Sequence, residues 1–93
     1  MRIEQAIKEY CKKRHPEDRG FYIPTDELGY WNVNVLFVNS DGNEDETQFD
    51  ILPGNFDYIS RKCKELVLLW KDFCTENQIK QNTVESIYIV CGW

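Results

Sequence analysis

The spacing of apolar residues predicts two amphipathic helices. In the first, from Ile3 to about Arg14, apolar side chains recur at intervals of three and four residues and form one stripe. Pro16 then ends it, because proline cannot continue a helix. The second helix runs from about Asp57, its N-cap, to Glu76, and Asn77 is predicted to be its left-handed C-cap. The apolar stripe of this second helix consists of Ile59, Cys63, Leu66, Val67, Trp70, Phe73 and Cys74.

Three other segments alternate between two faces, as β-strands do. They run from Tyr30 to Val38, from Glu44 to Leu52 and from Thr83 to Trp93. In the third, one face is predicted to consist of Ile87, Ile89, Cys91 and Trp93, and the other of Val84, Ser86, Tyr88 and Val90. The residues between the first two strands, 39–43, have turn chemistry that includes a glycine able to adopt positive φ. The first two strands are therefore predicted to form a hairpin.

The order of these elements, α-β-β-α-β, predicts an α+β fold of two layers. The expected sheet has three strands, is mainly antiparallel, has the order 2-1-3 and is packed with two helices. The first strand suits the centre because it is apolar and uncharged, whereas the acidic second strand suits an edge. Ninety-three residues make a single domain, residues 1–93. The pattern leaves open whether the first helix covers the same face of the sheet as the second or the opposite face.

Charge is distributed unevenly along the chain. Eight carboxylates and no lysine or arginine lie in residues 23–57, which gives −8. Residues 1–22 hold six basic and four acidic groups (+2), residues 58–93 hold five and four (+1), and the total is −5. An uneven distribution of charge along a chain is informative about binding partners rather than about the fold.

The acidic residues concentrate at the hairpin, and they are the first candidate site, for binding a basic protein surface. The members are Asp41, Glu44, Asp45, Glu46 and Asp50. A competing interpretation is that charge on an edge strand discourages unwanted pairing with other strands.

The sheet supplies a second candidate interface. If both helices pack on one face, the other face presents an apolar and aromatic patch to water, and such patches mark interfaces. Its members would be Tyr30, Leu36, Val38, Tyr88 and Val90. A homodimer formed through this face is therefore the alternative to a basic partner.

The residues that could support chemistry do not form a catalytic or metal-binding pattern. Asp41, Asn43 and Asp45 match the first, third and fifth ligand positions of an EF-hand loop, but Glu46 replaces its glycine and Leu52 replaces its bidentate glutamate. The single histidine follows a basic run, and no glycine-rich phosphate loop is present in the sequence. We therefore expect no enzyme activity, no metal and no cofactor.

Cysteine content, net charge and hydropathy indicate the cellular environment of the protein. Four cysteines, Cys11, Cys63, Cys74 and Cys91, fall on apolar faces without a close-spaced pair, so we expect reduced, buried thiols. The net charge of −5 argues against direct binding to nucleic acid. The sequence has neither a membrane-spanning segment nor a secretory signal pattern, so the expectation is a cytoplasmic protein with no membrane partner.

One segment of the chain resembles known proteins. Leu69 to Asn77, followed by Asn82 to Ile87, is similar to the C-terminal helix-to-strand passage of small uncharacterised bacterial and phage-type proteins. The resemblance covers only residues 69–87. It implies a bacterial or mobile-element accessory protein and no particular activity.

Overall fold

Two helices and a three-stranded sheet make up the part of the chain that the computed structural model describes, residues 1–13, 30–51 and 63–92. The predicted α+β class and the predicted element order are confirmed. The bounds are α1 Ile3–Lys13, β1 Tyr30–Val38, β2 Glu44–Ile51, α2 Cys63–Asn77 and β3 Val84–Gly92.

Several sequence predictions fall on residues outside these ranges. They concern Arg14 and Pro16 at the end of the first helix, Leu52 in the second strand, Asp57 and Ile59 at the start of the second helix, and Trp93. Thr83 was predicted to begin the third strand, but the strand begins one residue later. Thr83 closes the preceding turn instead, since its hydroxyl donates a hydrogen bond to the carbonyl oxygen of Lys80 at 2.8 Å.

The sheet has the predicted order β2-β1-β3, and β1 is antiparallel to both neighbours. Val33 lies opposite Phe49 on β2 and Ile89 on β3, while Asn34 lies opposite Gln48 and Tyr88. Because successive side chains in a strand point to opposite faces, the odd-numbered residues of β1 and β2 share one face and the even-numbered residues share the other. This alternation decides which residues can meet in the core and which can form a surface.

The core lies between the odd-numbered face of the sheet and both helices. The Phe37 ring of β1 makes edge contacts with Trp70, at a centroid distance of 5.3 Å, and with Phe73, at 5.5 Å. Phe73 also contacts Phe49 of β2 at 6.0 Å, so α2 reaches across two strands. The other buried residues of this core are Ile3, Ala6, Ile7, Tyr10, Val33, Val35, Leu66, Cys74, Val84 and Ile87.

Helix α1 belongs to this same core. Its buried residues join the cluster formed by α2 and β1, and the helix lies against α2 and β3. This answers the question that the sequence left open, because α1 and α2 pack side by side on one face of the sheet.

Val84 corrects one prediction about the third strand. The alternation placed Val84 on the face of Tyr88, whereas the structure buries it opposite Phe37 in the core. The pairing of β1 with β3 shifts register between Leu36 and Phe37, so that Glu85 has no directly opposite residue on β1. A bulge of this kind inserts one residue and reverses the faces beyond it.

The hairpin turn is built from the residues predicted for it. The backbone N–H of Gly42 donates to the carbonyl oxygen of Asn39 at 3.0 Å, and Gly42 adopts φ +83°. The side-chain oxygen of Asn39 accepts hydrogen bonds from the N–H groups of Asp41 and Asn43, both at 3.0 Å. An asparagine that opens a turn and a glycine that closes it fix the hairpin register, and with it the faces on which the acidic residues lie.

The end of α2 differs from the prediction by one residue. Asn77 remains helical, and Gln78 adopts the left-handed conformation with φ 56°. The N–H of Ile79 donates to the carbonyl oxygen of Cys74 at 2.9 Å, and the Ile79 side chain packs against the core. In a Schellman cap the left-handed residue directly precedes the apolar residue that packs on the core. The packing of Ile79 therefore determines that Gln78 is the left-handed residue.

Substitutions at Gln78 and Gly42, which both adopt positive φ, are expected to change stability in opposite directions. Gln78→Gly should raise the free energy of unfolding by about 0.5–1 kcal/mol, because glycine adopts positive φ without the cost that a Cβ imposes. Gly42→Ala should lower it by about 1 kcal/mol. A Cβ at Gly42 would meet nothing within 4 Å, so the whole cost comes from the backbone conformation. Urea denaturation of both variants checks this, and shifts of the same sign would contradict it.

Candidate functional site

The outer face of the sheet, which is the even-numbered face opposite the helices, is the candidate site. In the part of the chain that the structure describes, no helix packs on this face. The described side chains at its positions are Asn32, Asn34, Leu36, Val38, Glu44, Glu46, Gln48, Asp50, Ser86 and Tyr88.

The five predicted carboxylates divide into two groups. Glu44, Glu46 and Asp50 lie along the outer face of β2, with Gln48 between the last two. Asp45 lies at an odd-numbered position opposite Phe37, and Asp41 lies in the turn. All five are exposed. The structure therefore brings three carboxylates together in a row, and it places two more at the end of the hairpin.

The predicted apolar patch occupies the same face as this row. Leu36 lies opposite Glu46, Val38 lies opposite Glu44, and both apolar side chains are half-buried. The acidic hairpin and the sheet face were predicted from the sequence as alternative sites. In the structure they form one surface, with apolar residues on β1 and carboxylates beside them on β2.

Two members of the predicted patch lie partly outside the described structure. Tyr30 and Val90 belong to β1 and β3, but their side chains lie outside the described residues. The described part of the apolar patch consists of Leu36, Val38 and Tyr88.

Tyr88 connects the two edge strands across the outer face. Its hydroxyl donates a hydrogen bond to Oε1 of Glu46 at an exposed position. Tyr88 belongs to β3 and Glu46 to β2, with β1 between them. The Tyr88 side chain must therefore extend over β1, near Asn34 and Leu36, to reach its partner.

Asn34 is the polar residue that the sequence analysis did not single out. It is only 1% exposed, and its Nδ2 donates to the backbone carbonyl oxygen of Asn32 at 3.2 Å. Among the described residues, its Oδ1 has no hydrogen-bond partner. The one sequence signal for this site was an asparagine in the middle of an apolar central strand, where a polar side chain is rarely placed.

The negative charge of the outer face is uncompensated within the described structure. The described basic residues lie before or within α1, within α2, or in the turn that follows α2. Over residues 1–13, 30–51 and 63–92, none of the five hairpin carboxylates pairs with a lysine or arginine. An approaching cation would therefore meet carboxylates that no described lysine or arginine neutralises.

The helical side of the described structure carries a groove. It has a volume of about 530 Å³ and lies between the start of α1 and the turn after α2. Ile3, Val67, Trp70 and Ile79 contribute apolar lining, and the polar lining includes Lys80. It contains no pairing of a nucleophile with a general base among these described residues, so it gives no support for catalysis.

The described structure offers no metal site and no membrane span. The described residues contain no group of three or more histidine, cysteine, aspartate or glutamate side chains placed to hold a metal ion. Neither described helix is long and apolar enough to cross a membrane.

The thiols differ in burial. Cys74 is buried as predicted, whereas Cys11 and Cys63 are only half-buried and the Cys91 side chain lies outside the described residues. Burial raises the pKa of the Cys74 thiol to about 11. Burial also raises the pKa of Cys63, with a smaller contribution from the Glu4 carboxylate that Lys8 partly opposes. A raised pKa keeps both thiols protonated and weakly nucleophilic near neutral pH.

The Cys74 pKa predicts a loss of stability in alkali. The folded pKa of about 11 exceeds the ordinary value of 9.0, so the contribution of this thiol is complete below pH 9.0 and declines as the pH rises toward 11. The slope for one group is at most about 1.4 kcal/mol per pH unit. Denaturation curves across this range should show the wild type losing stability faster than Cys74→Ala. Parallel losses in the two proteins would contradict the burial of this thiol.

Comparison with known proteins gives no family for the chain. No family model, curated protein or solved structure matches it. The resemblance of residues 69–87 to bacterial and phage-type proteins therefore stays a prediction.

Proposed function

We propose that the protein is a non-enzymatic interaction module that binds a basic protein surface through the outer face of its sheet. The observation that carries this proposal is the row formed by Glu44, Glu46 and Asp50 beside the half-buried Leu36 and Val38. The biological role would be of the inhibitor, immunity or accessory type. The bacterial or phage setting and the cytoplasmic location belong to the same proposal and rest on the sequence alone.

The two kinds of residue on this face would contribute differently to binding. The carboxylates would steer the encounter and fix the orientation of the partner, because complementary charge acts mainly on the association rate. Tyr88 and the two apolar residues would supply the area that is desolvated in the complex, where tyrosine is enriched. Asp41 and Asp45 at the hairpin end would extend the negative field toward the partner.

A homodimer through the outer face is the alternative proposal. Leu36, Val38 and Tyr88 favour it because they are apolar or aromatic and lie on the uncovered side of the described sheet. The row on β2 opposes it, because a two-fold interface brings identical patches together and would place like charges near one another. Sedimentation equilibrium distinguishes the two proposals. A dimeric mass at low salt would support the homodimer, whereas a monomeric mass would support the basic partner.

The proposed function is tested by the salt dependence of association. The protein is used to capture partners from cells of its source, and the partner retained at low salt is purified. Stopped-flow association is then measured from about 50 mM to about 500 mM salt. Over this range the Debye length falls from about 14 Å to about 4 Å. The association rate constant should fall steeply as salt increases. A rate constant that does not change with salt would rule out the electrostatic account.

A further inference from the structure

The buried amide of Asn34 is an unusual feature of a central strand. A buried acceptor without a hydrogen bond is destabilising, and few such groups occur in folded proteins. The orientation of this amide is fixed by its surroundings, because turning it over would place Oδ1 against the carbonyl oxygen of Asn32 that Nδ2 now contacts. Within the described residues, the atom that lacks a hydrogen bond is therefore the carbonyl oxygen Oδ1.

The neighbours of Asn34 on the outer face are rich in acceptors. Gln48 lies directly opposite on β2, and Glu46 and Asp50 lie on either side of Gln48 along the same face. These side chains are exposed, whereas Asn34 is buried beside them. The surface thus combines a carbonyl oxygen that lacks a donor with carboxylates that lack a cation among the described residues.

Tyr88 lies beside this group of acceptors. It lies directly opposite Asn34 on β3, and its hydroxyl contacts Glu46 on the far side of β1. The hydrogen bond is exposed to solvent, so breaking it lets water take over both groups at little net cost. Movement of the Tyr88 ring, which is half-buried and packs against the core, would release the Glu46 carboxylate and open a path to Asn34.

We infer that this place on the outer face takes an arginine side chain of the basic partner. A guanidinium group has five N–H donors in one plane, so it can bind the Glu46 carboxylate with two of them and the Asn34 carbonyl oxygen with a third. Its flat face can also stack on the Tyr88 ring. A lysine ammonium group is a point charge and cannot make this planar set of contacts. The inference rests on the proposed function and specifies the chemistry of its partner.

Two short capped peptides of equal length and charge test the inference. One carries arginine and the other carries lysine at the same positions, and each is titrated at low salt into the full chain. The dissociation constant is read from NMR shifts, and the side-chain amide signals of Asn34 are followed directly. The arginine peptide should bind about tenfold more tightly, which corresponds to one charge-assisted hydrogen bond beyond simple attraction. The Asn34 amide signals should move with the arginine peptide only.

Two variants separate this inference from the proposed function. Asn34→Leu should fold at least as stably as the wild type, since it removes the buried acceptor, and its preference for the arginine peptide should be clearly smaller, because only the contacts with Glu46 and Tyr88 remain. Tyr88→Phe keeps the ring and frees Glu46, so it should bind the arginine peptide about threefold more tightly, by removing a competing hydrogen bond. Equal binding of both peptides by the wild type would overturn the inference and leave the proposed function standing. Binding of neither peptide would overturn both, and an arginine preference as large in Asn34→Leu as in the wild type would overturn the role of Asn34.

Discussion

Replacing Trp70 by alanine is expected to remove much of the stability of the protein. Trp70 is almost fully buried, stacks on Phe73 at 5.7 Å and meets Phe37 edge-on at 5.3 Å. Its Nε1 donates to the backbone carbonyl oxygen of Gln81 at 2.9 Å, which ties α2 to the turn before β3. Loss of a buried tryptophan costs about 3–5 kcal/mol. The free energy of unfolding of such domains is only about 5–15 kcal/mol, so the variant should lose a large share of its stability.

Leu68 supplies the control on the same helix. It is 61% exposed, so Leu68→Ala should change the free energy of unfolding by no more than about 0.5 kcal/mol. Urea denaturation followed by far-ultraviolet circular dichroism measures both variants. A Trp70→Ala variant as stable as Leu68→Ala would mean that α2 does not pack on the sheet through Trp70.

Neutralising the acidic row is expected to slow association with the basic partner. The double variant Glu44→Gln with Asp50→Asn removes two exposed charges from the outer face and leaves Glu46 in contact with Tyr88. Electrostatic steering changes association rates by about 10-fold to 1,000-fold, so we expect at least about a tenfold fall at low salt. The dissociation rate should change less, because exposed charges act mainly before the surfaces meet.

A matched variant on the other side of the molecule isolates the position of the charges. Asp72→Asn with Glu76→Gln alters the same residue types and the same net charge on exposed positions of α2. This control should associate at nearly the wild-type rate. If the two double variants slow association equally, only net charge matters, and the outer face is not the contact surface.

The parts of the fold that depend on local pattern could be predicted from the sequence. The bounds of β1 from Tyr30 to Val38 are confirmed, and so are the start of β2 at Glu44 and the central place of β1. These features follow from alternation, from turn residues such as Gly42 and from the apolar character of the central strand. Each of these signals lies within a few residues of the element it specifies.

The features that depend on tertiary packing could not be read from the pattern. The bulge places Val84 in the core opposite Phe37, and strict alternation cannot express an inserted residue. The left-handed position at Gln78 depends on where Ile79 reaches the core. The face covered by α1 was undecided because an amphipathic helix has the same apolar stripe whichever face it covers.

At the candidate site, the sequence pattern predicted the faces of the β2 carboxylates but not the contacts between strands. Alternation along β2 already separates Glu44, Glu46 and Asp50 from Asp45, and the structure confirms this separation. The contact between Tyr88 and Glu46 depends on the register of three strands at once, and the only sequence signal for the burial of Asn34 is its place in an apolar central strand. Such features appear only when the strands are placed beside one another.

The most direct test of the central claim is a map of backbone amide shifts on titration with the arginine peptide at low salt. The claim is that the outer face of the sheet contacts the basic partner. The predicted shifts centre on residues 34–38, 44–50 and 86–88, and they shrink at about 500 mM salt because the charges are screened. Shifts that centre on α1 or α2, or that do not change with salt, would contradict the claim.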